Sequence, residues 1–198
     1  FGVPTHSGFP GESAGLLVGY RNWNEIETAT LSFGYGMSAT PLQLAQAYAV
    51  LASGGILRPA TFLRQEAAPA GERILPQRVA QQVNAMLEEV TGPQGTAVTA
   101  RVAGYRVSGK TGTVRKSIAG GYAEDKYLAV FAGMAPVSDP RLVMVVMVNE
   151  PDNGEYYGGQ VAAPVFSKVM SGALRLMAVP PDDLPLPDSL QVAAGGPA

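Results

Sequence analysis

Lys110-Thr-Gly-Thr113 places an ammonium, two hydroxyls and an intervening glycine in four consecutive residues. Such a set suits an anionic ligand. The lysine biases the site electrostatically, and the hydroxyls of Thr111 and Thr113 can hydrogen-bond a carboxylate. Gly112 removes a side chain so that an extended ligand can lie along a strand edge. The stretch Gly104-Tyr-Arg-Val-Ser-Gly-Lys-Thr111 also fits the phosphate-loop pattern G-x-x-x-x-G-K-[ST], which would put Lys110 on nucleotide phosphates and Thr111 on magnesium. That loop must open a helix whose backbone amides cradle the phosphates. Here Gly112 follows at once, Gly120-Gly121 come soon after, and Tyr105-Arg-Val107 is bulky and strand-prone. The stretch reads as a strand.

The elements that must position this strand are legible in outline. Residues 1–36 are punctuated by Gly, Pro, Ser and Asn and read as ordered loops. Thr40 is a good N-cap and Pro41 fits the first helical position. Leu44, Tyr48 and Leu51 then recur at helical spacing until Gly54-Gly55. A short Ile56-Leu57 segment leads into a loop. A second helix is expected from about Pro76 to Val90, with Val79, Val83, Met86 and Val90 on one stripe. Three strand-like runs follow at 102–114, 127–135 and 142–149, the last two joined by a tight turn at Val137-Ser-Asp-Pro140. The last helix is expected over 161–177, with Val161, Val165, Val169 and Leu176 on one stripe. The tail, 180–198, is rich in proline and reads as extended and peripheral. This order predicts an α+β fold, an antiparallel sheet flanked by helices, within one domain over 1–179. Three strands make a small sheet for so apolar a chain, and something else is expected to complete it.

Composition excludes several kinds of chemistry. Of 198 residues 46% are hydrophobic, enough for a full core, and 15% are charged, against roughly 25% in an average domain. The net charge of −2 leaves no footprint for nucleic acid. No apolar run approaches the ~18 residues of a membrane span. The sequence has no cysteine, which removes thiolate nucleophiles and thiolate metal sites, and a single histidine, His6, which reads as a loop residue. No metal or cofactor is implied.

The surroundings of the lysine carry a resemblance. Lys110-Thr-Gly112 resembles the K-T-G signature of the penicilloyl-serine transferases. Leu31–Gly55, containing Ser-Phe-Gly-Tyr-Gly-Met-Ser-Ala-Thr-Pro-Leu-Gln, is similar to a helix segment of class B penicillin-binding proteins. Val107-Ser-Gly-Lys-Thr-Gly-Thr113, Phe131-Ala-Gly-Met-Ala-Pro136, Val148-Asn-Glu-Pro151 and Tyr156-Tyr-Gly-Gly-Gln-Val-Ala-Ala-Pro-Val-Phe166 resemble later segments in the same order. The likeness spans about Gly8 to Pro187 and is greatest to the cell-division branch of the class B proteins of Gram-negative bacteria. It implies the C-terminal portion of a β-lactamase/transpeptidase-like fold and peptidoglycan D,D-transpeptidation. Implied too are D-alanyl-D-alanine stem peptides as substrate and β-lactams as covalent inhibitors. A D,D-carboxypeptidase and a non-catalytic β-lactam sensor or scaffold stay open beside it. The family further implies division proteins and a glycan polymerase as partners, and a periplasmic location with an N-terminal membrane anchor.

Two motifs of that family do not occur. The residues three before each lysine are Val107, Thr113, Ala123 and Val165, so S-x-x-K is missing, and no Asn is preceded at two residues by serine. The nucleophile, its lysine and the second-motif serine are therefore expected upstream of Phe1, and this segment alone is expected to form no acyl-enzyme. The Thr113 N–H is expected to help stabilise an oxyanion. Arg115, on the same strand face as Thr113, either assists carboxylate binding or is a solvated strand residue. Tyr127, Tyr156 and Tyr157, with Gly158 beside them, either wall the substrate pocket or pack beneath the 115–126 loop, of which 117–126 reads as mobile over the cleft. Glu150, at a strand end, reads as structural.

Overall fold

The computed structural model describes residues 7–184 apart from 18, 20, 22, 33, 119, 120 and 153, with backbone only at 117. The expectation for His6 and most of the 180–198 tail lies outside these residues. The elements are α1 (Glu25–Leu31), α2 (Pro41–Ala52), β1 (Ile56–Leu57), β2 (Glu72–Arg73), α3 (Gln77–Glu88), β3 (Ser108–Ile118), β4 (Gly121–Ala135), β5 (Leu142–Asn149), α4 (Gly158–Val161) and α5 (Ala163–Leu176). β3, β4 and β5 form an antiparallel meander in that order, and β1 pairs with β2 in a separate ribbon. The α+β reading is correct.

α2 forms where its caps dictate. Thr40 and Gln43 satisfy one another's backbone amides as a capping box, and Pro41 occupies the first turn. Gln43 also reaches out, donating to the Ala14 carbonyl at 2.9 Å, which ties the N-terminal loops to the helix. Burial pushes the Tyr48 phenol in α2 up to about 12. The expectation of loops throughout 1–36 fails at α1, where Asn24 and Glu27 form a second capping box. The helix has no buried residue, so no apolar stripe marked it.

The sheet separates two unequal layers. On one face Phe131 meets Phe166 of α5 edge-on at 4.8 Å between ring centres. Met170 and Leu174 are likewise fully buried on this face, while Met134, by strand alternation, is buried on the other. Ala97, Ala100, Val102 and Val107 close this core from the chain that leads into β3. On the other face α2 lies over β4 and β5, burying Val50, while Val130 and Val145 stay half-buried.

Several boundaries and faces differ from expectation. α5 buries Ala163, Phe166, Met170 and Leu174, whereas Val165, Val169 and Leu176 are exposed. Both stripes have helical spacing, and the bulkier Phe-Met-Leu set wins the core. In α3 it is Ala80 that is buried, and Met86 points outward. The first strand begins at Ser108 rather than 102, because Val102 and Tyr105 close a turn on Gly104, whose φ is +82°. The expected 117–126 loop is instead the far end of a long β3–β4 arm, paired at Ser117↔Tyr122 and Ile118↔Gly121 beyond a register shift. The last helix starts at Gly158, not Val161, and breaks at Ala162 before Pro164. Beyond it, Asp182 accepts the amides of Arg106 and Ser138 at 2.8 and 3.0 Å, which fastens residues 180–184 beside the start of β3.

The edge-on aromatic pair implies a sharp contrast on one helix. Phe166→Ala is expected to cost about 3–5 kcal/mol, and Val169→Ala, on the exposed stripe, no more than about 0.5 kcal/mol. Urea denaturation of the two variants measures both, and equal losses would place the core on the wrong stripe.

Candidate active site

Lys110–Thr113 lie in the middle of β3, opposite Ala132, Phe131, Val130 and Ala129 of β4. Among the described residues β3 has no strand on its other edge. Alternation sends Lys110 and Gly112 to one face and Thr111, Thr113 and Arg115 to the other. The Lys110 chain nevertheless curls across the backbone: Nζ lies 3.0 Å from the Thr111 carbonyl oxygen and 3.3 Å from its Oγ1. The ammonium and the first hydroxyl thus converge at the open edge.

α4 reaches the strand through glycine. A Cβ on Gly158 would stand 2.2 Å from the Val130 oxygen and 2.6 Å from the Gly112 oxygen. Any side chain there would push the first turn of α4 off β3 and β4. The close approach lets the Gly158 N–H donate to Thr113 Oγ1 at 3.1 Å. Gly112 differs, since its nearest neighbour to an added Cβ is Val130 Cβ at 3.6 Å, an ordinary contact. Packing within this chain therefore does not demand a glycine at 112.

Of two further side chains that the sequence did not single out, one meets this strand and the other meets α4. Thr96 Oγ1 lies 3.2 Å from Thr111 Oγ1, and Thr99 donates to the Gly159 carbonyl at 2.5 Å. Both belong to the short turn before β3. Their spacing of three is the one local signal, and nothing in it points to Thr111.

Arg115 and the tyrosines form a second group. Arg115 pairs across the arm with Tyr127, its guanidinium carbon 5.9 Å from the ring centre. Tyr127 stacks on Tyr156 at 4.3 Å and 15°, and Tyr156 leans on Tyr157 at 4.5 Å. The Tyr156 and Tyr157 hydroxyls are 3.4 Å apart, and that contact is the first cause of the raised pKa of Tyr156. The three rings and Gly158 are thus brought together; Tyr157 is 54% exposed. Among the described residues no group of three or more His, Cys, Asp or Glu side chains is placed to hold a metal ion.

At the base of the arm Glu150 bonds Lys116 of β3 and lies 3.3 Å from Lys126 of β4. Its amide donates to the Tyr127 carbonyl at 2.9 Å, and its φ is +51°. These contacts tie the arm and the aromatic stack to the end of β5. The Lys116 ammonium, then that of Lys126, holds the Glu150 carboxyl below the usual value of 4.5. A depressed carboxyl stabilises the fold above its unfolded pKa, and the contribution vanishes as pH falls through the lower folded value. The melting-temperature gap between wild type and Glu150→Gln is therefore expected at neutral pH and to close below about pH 4.5. Added salt should narrow it as well. A gap unchanged by acid would show that the carboxylate charge is not what ties the arm.

The family described as penicillin binding protein transpeptidase domain matches residues 1–171. The chain is 47% identical over 180 residues to the probable peptidoglycan D,D-transpeptidase PenA of Neisseria meningitidis serogroup A, covering 91% of this chain and 31% of that one. To the peptidoglycan D,D-transpeptidase FtsI of Escherichia coli K12 it is 45% identical over 183 residues, covering 92% and 31%. The apo transpeptidase domain of Burkholderia pseudomallei penicillin-binding protein 3 superposes with a TM-score of 0.84 at 46% identity, covering 91% of this chain and 55% of that one. The chain thus spans 31% of the length of these curated relatives. Matched along most of its length in sequence and in fold, it belongs to the penicillin-binding-protein transpeptidase family, in its FtsI-like class B branch.

Proposed function

We propose that this chain supplies the carboxylate-recognising strand of a peptidoglycan D,D-transpeptidase. The observation that carries the reading is the convergence of the Lys110 ammonium and the Thr111 hydroxyl at the unpaired edge of β3. Three donors, Lys110 and the hydroxyls of Thr111 and Thr113, suit the acceptor-only terminal carboxylate of a D-alanyl-D-alanine stem peptide. A serine oxygen attacks the penultimate carbonyl, the terminal D-alanine leaves with a proton, and an acyl-serine remains. The amine of a neighbouring stem peptide then attacks that ester, forming the cross-link and regenerating the serine. The Thr113 N–H takes part in holding the oxyanion. Arg115, Tyr127, Tyr156, Tyr157 and Gly158 border the donor peptide or an inhibitor bound in its place. A β-lactam presents a carboxylate beside a strained amide and acylates the same serine.

The nucleophile belongs to this reading as a residue outside the chain, in an S-x-x-K motif, since none of the four lysines here follows a serine at that spacing. The work is done in the periplasm during division, on a protein anchored in the inner membrane, together with division proteins and a glycan polymerase. The names of the relatives support the peptidoglycan D,D-transpeptidase activity in this reading.

Intact mass and peptide mapping of the full-length protein after incubation with benzylpenicillin test it. One adduct of the drug's mass is expected, on a serine outside residues 1–198. An adduct on a residue of this chain would overturn the placement of the nucleophile. No adduct on folded protein would replace catalysis by a scaffold role.

A further inference from the structure

Thr111 Oγ1 is met from two sides, by Lys110 Nζ at 3.3 Å and by Thr96 Oγ1 at 3.2 Å. A hydroxyl has one proton and two lone pairs, and an ammonium has only protons. Lys110 therefore occupies one lone pair of Thr111. The contact with Thr96 uses either the other lone pair or the proton, and both are possible because both groups are hydroxyls. An acceptor-only anion at the strand edge decides between them. Thr111 can turn its proton to a carboxylate without loss only if Thr96 gives its own proton in return.

Thr113 is set by a different means to the same end. Its Oγ1 accepts the Gly158 amide at 3.1 Å, a donor that cannot reverse, so its proton is left to point elsewhere. The turn that carries Thr96 is itself pinned to the same glycines. Thr99 bonds the Gly159 carbonyl at 2.5 Å, and Gly159 approaches the Thr96 carbonyl so closely that a Cβ would stand 2.2 Å from it. The turn before β3 and the first turn of α4 are thus locked together around the two hydroxyls.

We infer that Thr96 is a positioning residue for ligand binding. It accepts or donates as required, so that Thr111 presents its proton to the ligand's terminal carboxylate. The inference rests on the transpeptidase reading above and adds to it a residue outside the K-T-G strand.

The test compares acylation of the full-length protein by benzylpenicillin and by its methyl ester, in which the anion is removed. In Thr96→Val, acylation by benzylpenicillin is expected to fall roughly tenfold, about one hydrogen bond to a charged group. Acylation by the ester should hardly change, and Thr96→Ser should restore the wild-type rate. Thr96 is exposed, so the valine variant is expected to fold, which its melting temperature checks. Equal slowing with both probes would make Thr96 merely structural and overturn the inference. So would a wild type that prefers the carboxylate while Thr96→Val reacts like it. A wild type acylated by neither probe would overturn the transpeptidase reading, and the inference with it.

Discussion

The constraint from which the rest follows is that, among the described residues, β3 pairs along one edge only while it carries Lys110, Thr111 and Thr113 in fixed relation. A strand held on one side twists and frays more readily than a central one, and its free edge invites another strand. Three features counter this. Pairing with β4 runs without interruption from Ser108 to Arg115. The Gly158 amide grips Thr113 from the α5 side, and the Thr96 hydroxyl steadies Thr111 from the turn before the strand. Each uses a face or the paired edge, and among the described residues the outer edge stays uncovered by any strand.

That division of labour explains why the two sheet faces are packed so differently. The α5 face closes completely: Phe131, Phe166, Met170 and Leu174 have no accessible surface. Through Ala97 and Ala100 the same core holds the turn that bears Thr96 and Thr99. The donor geometry therefore depends on burial several ångströms away. The α2 face is looser, and a cleft of about 620 Å³ lies between residues 34–44 and the sheet side chains Val130, Val145 and Met147. Only the tightly closed face carries the side chains that orient the threonines.

Local grammar made much of this legible. α2 follows from its capping residues, α3 and α5 from helical spacing, and the β4–β5 hairpin from two dense apolar runs around a turn. Lys110-Thr-Gly-Thr113 stands out in the sequence because its chemistry is contiguous. Misplaced features were those decided by competition or distance. Val165 and Val169 repeat as regularly as Phe166 and Met170, and side-chain bulk, not period, chose between the stripes. The β3–β4 arm continues through polar residues that read as a loop, because strand pairing there is set by register with a neighbour. α1 has a capping box but no buried face, so a search for apolar periodicity passes over it. Thr96 touches Thr111 across fifteen residues of chain, and no pattern within the sequence connects them.

Charge placement adds the last step. The chain is poor in charged residues, and several of its ion pairs sit where segments must be tied rather than where the core is built. Arg106 joins β3's approach to Glu88 of α3 with two bonds of 2.6 Å, while Asp182 caps the amides of Arg106 and Ser138. Glu150 gathers Lys116 and Lys126 at the other end of the strand. Exposed pairs of this kind contribute little to overall stability. Their effect is on geometry, since they fix where β3 begins and where its arm departs. Between those two anchors Lys110 keeps its ammonium free of any described carboxylate partner, its contacts being the carbonyl and hydroxyl of Thr111. An anion arriving at the strand edge therefore meets a cation that has no internal ion pair to break.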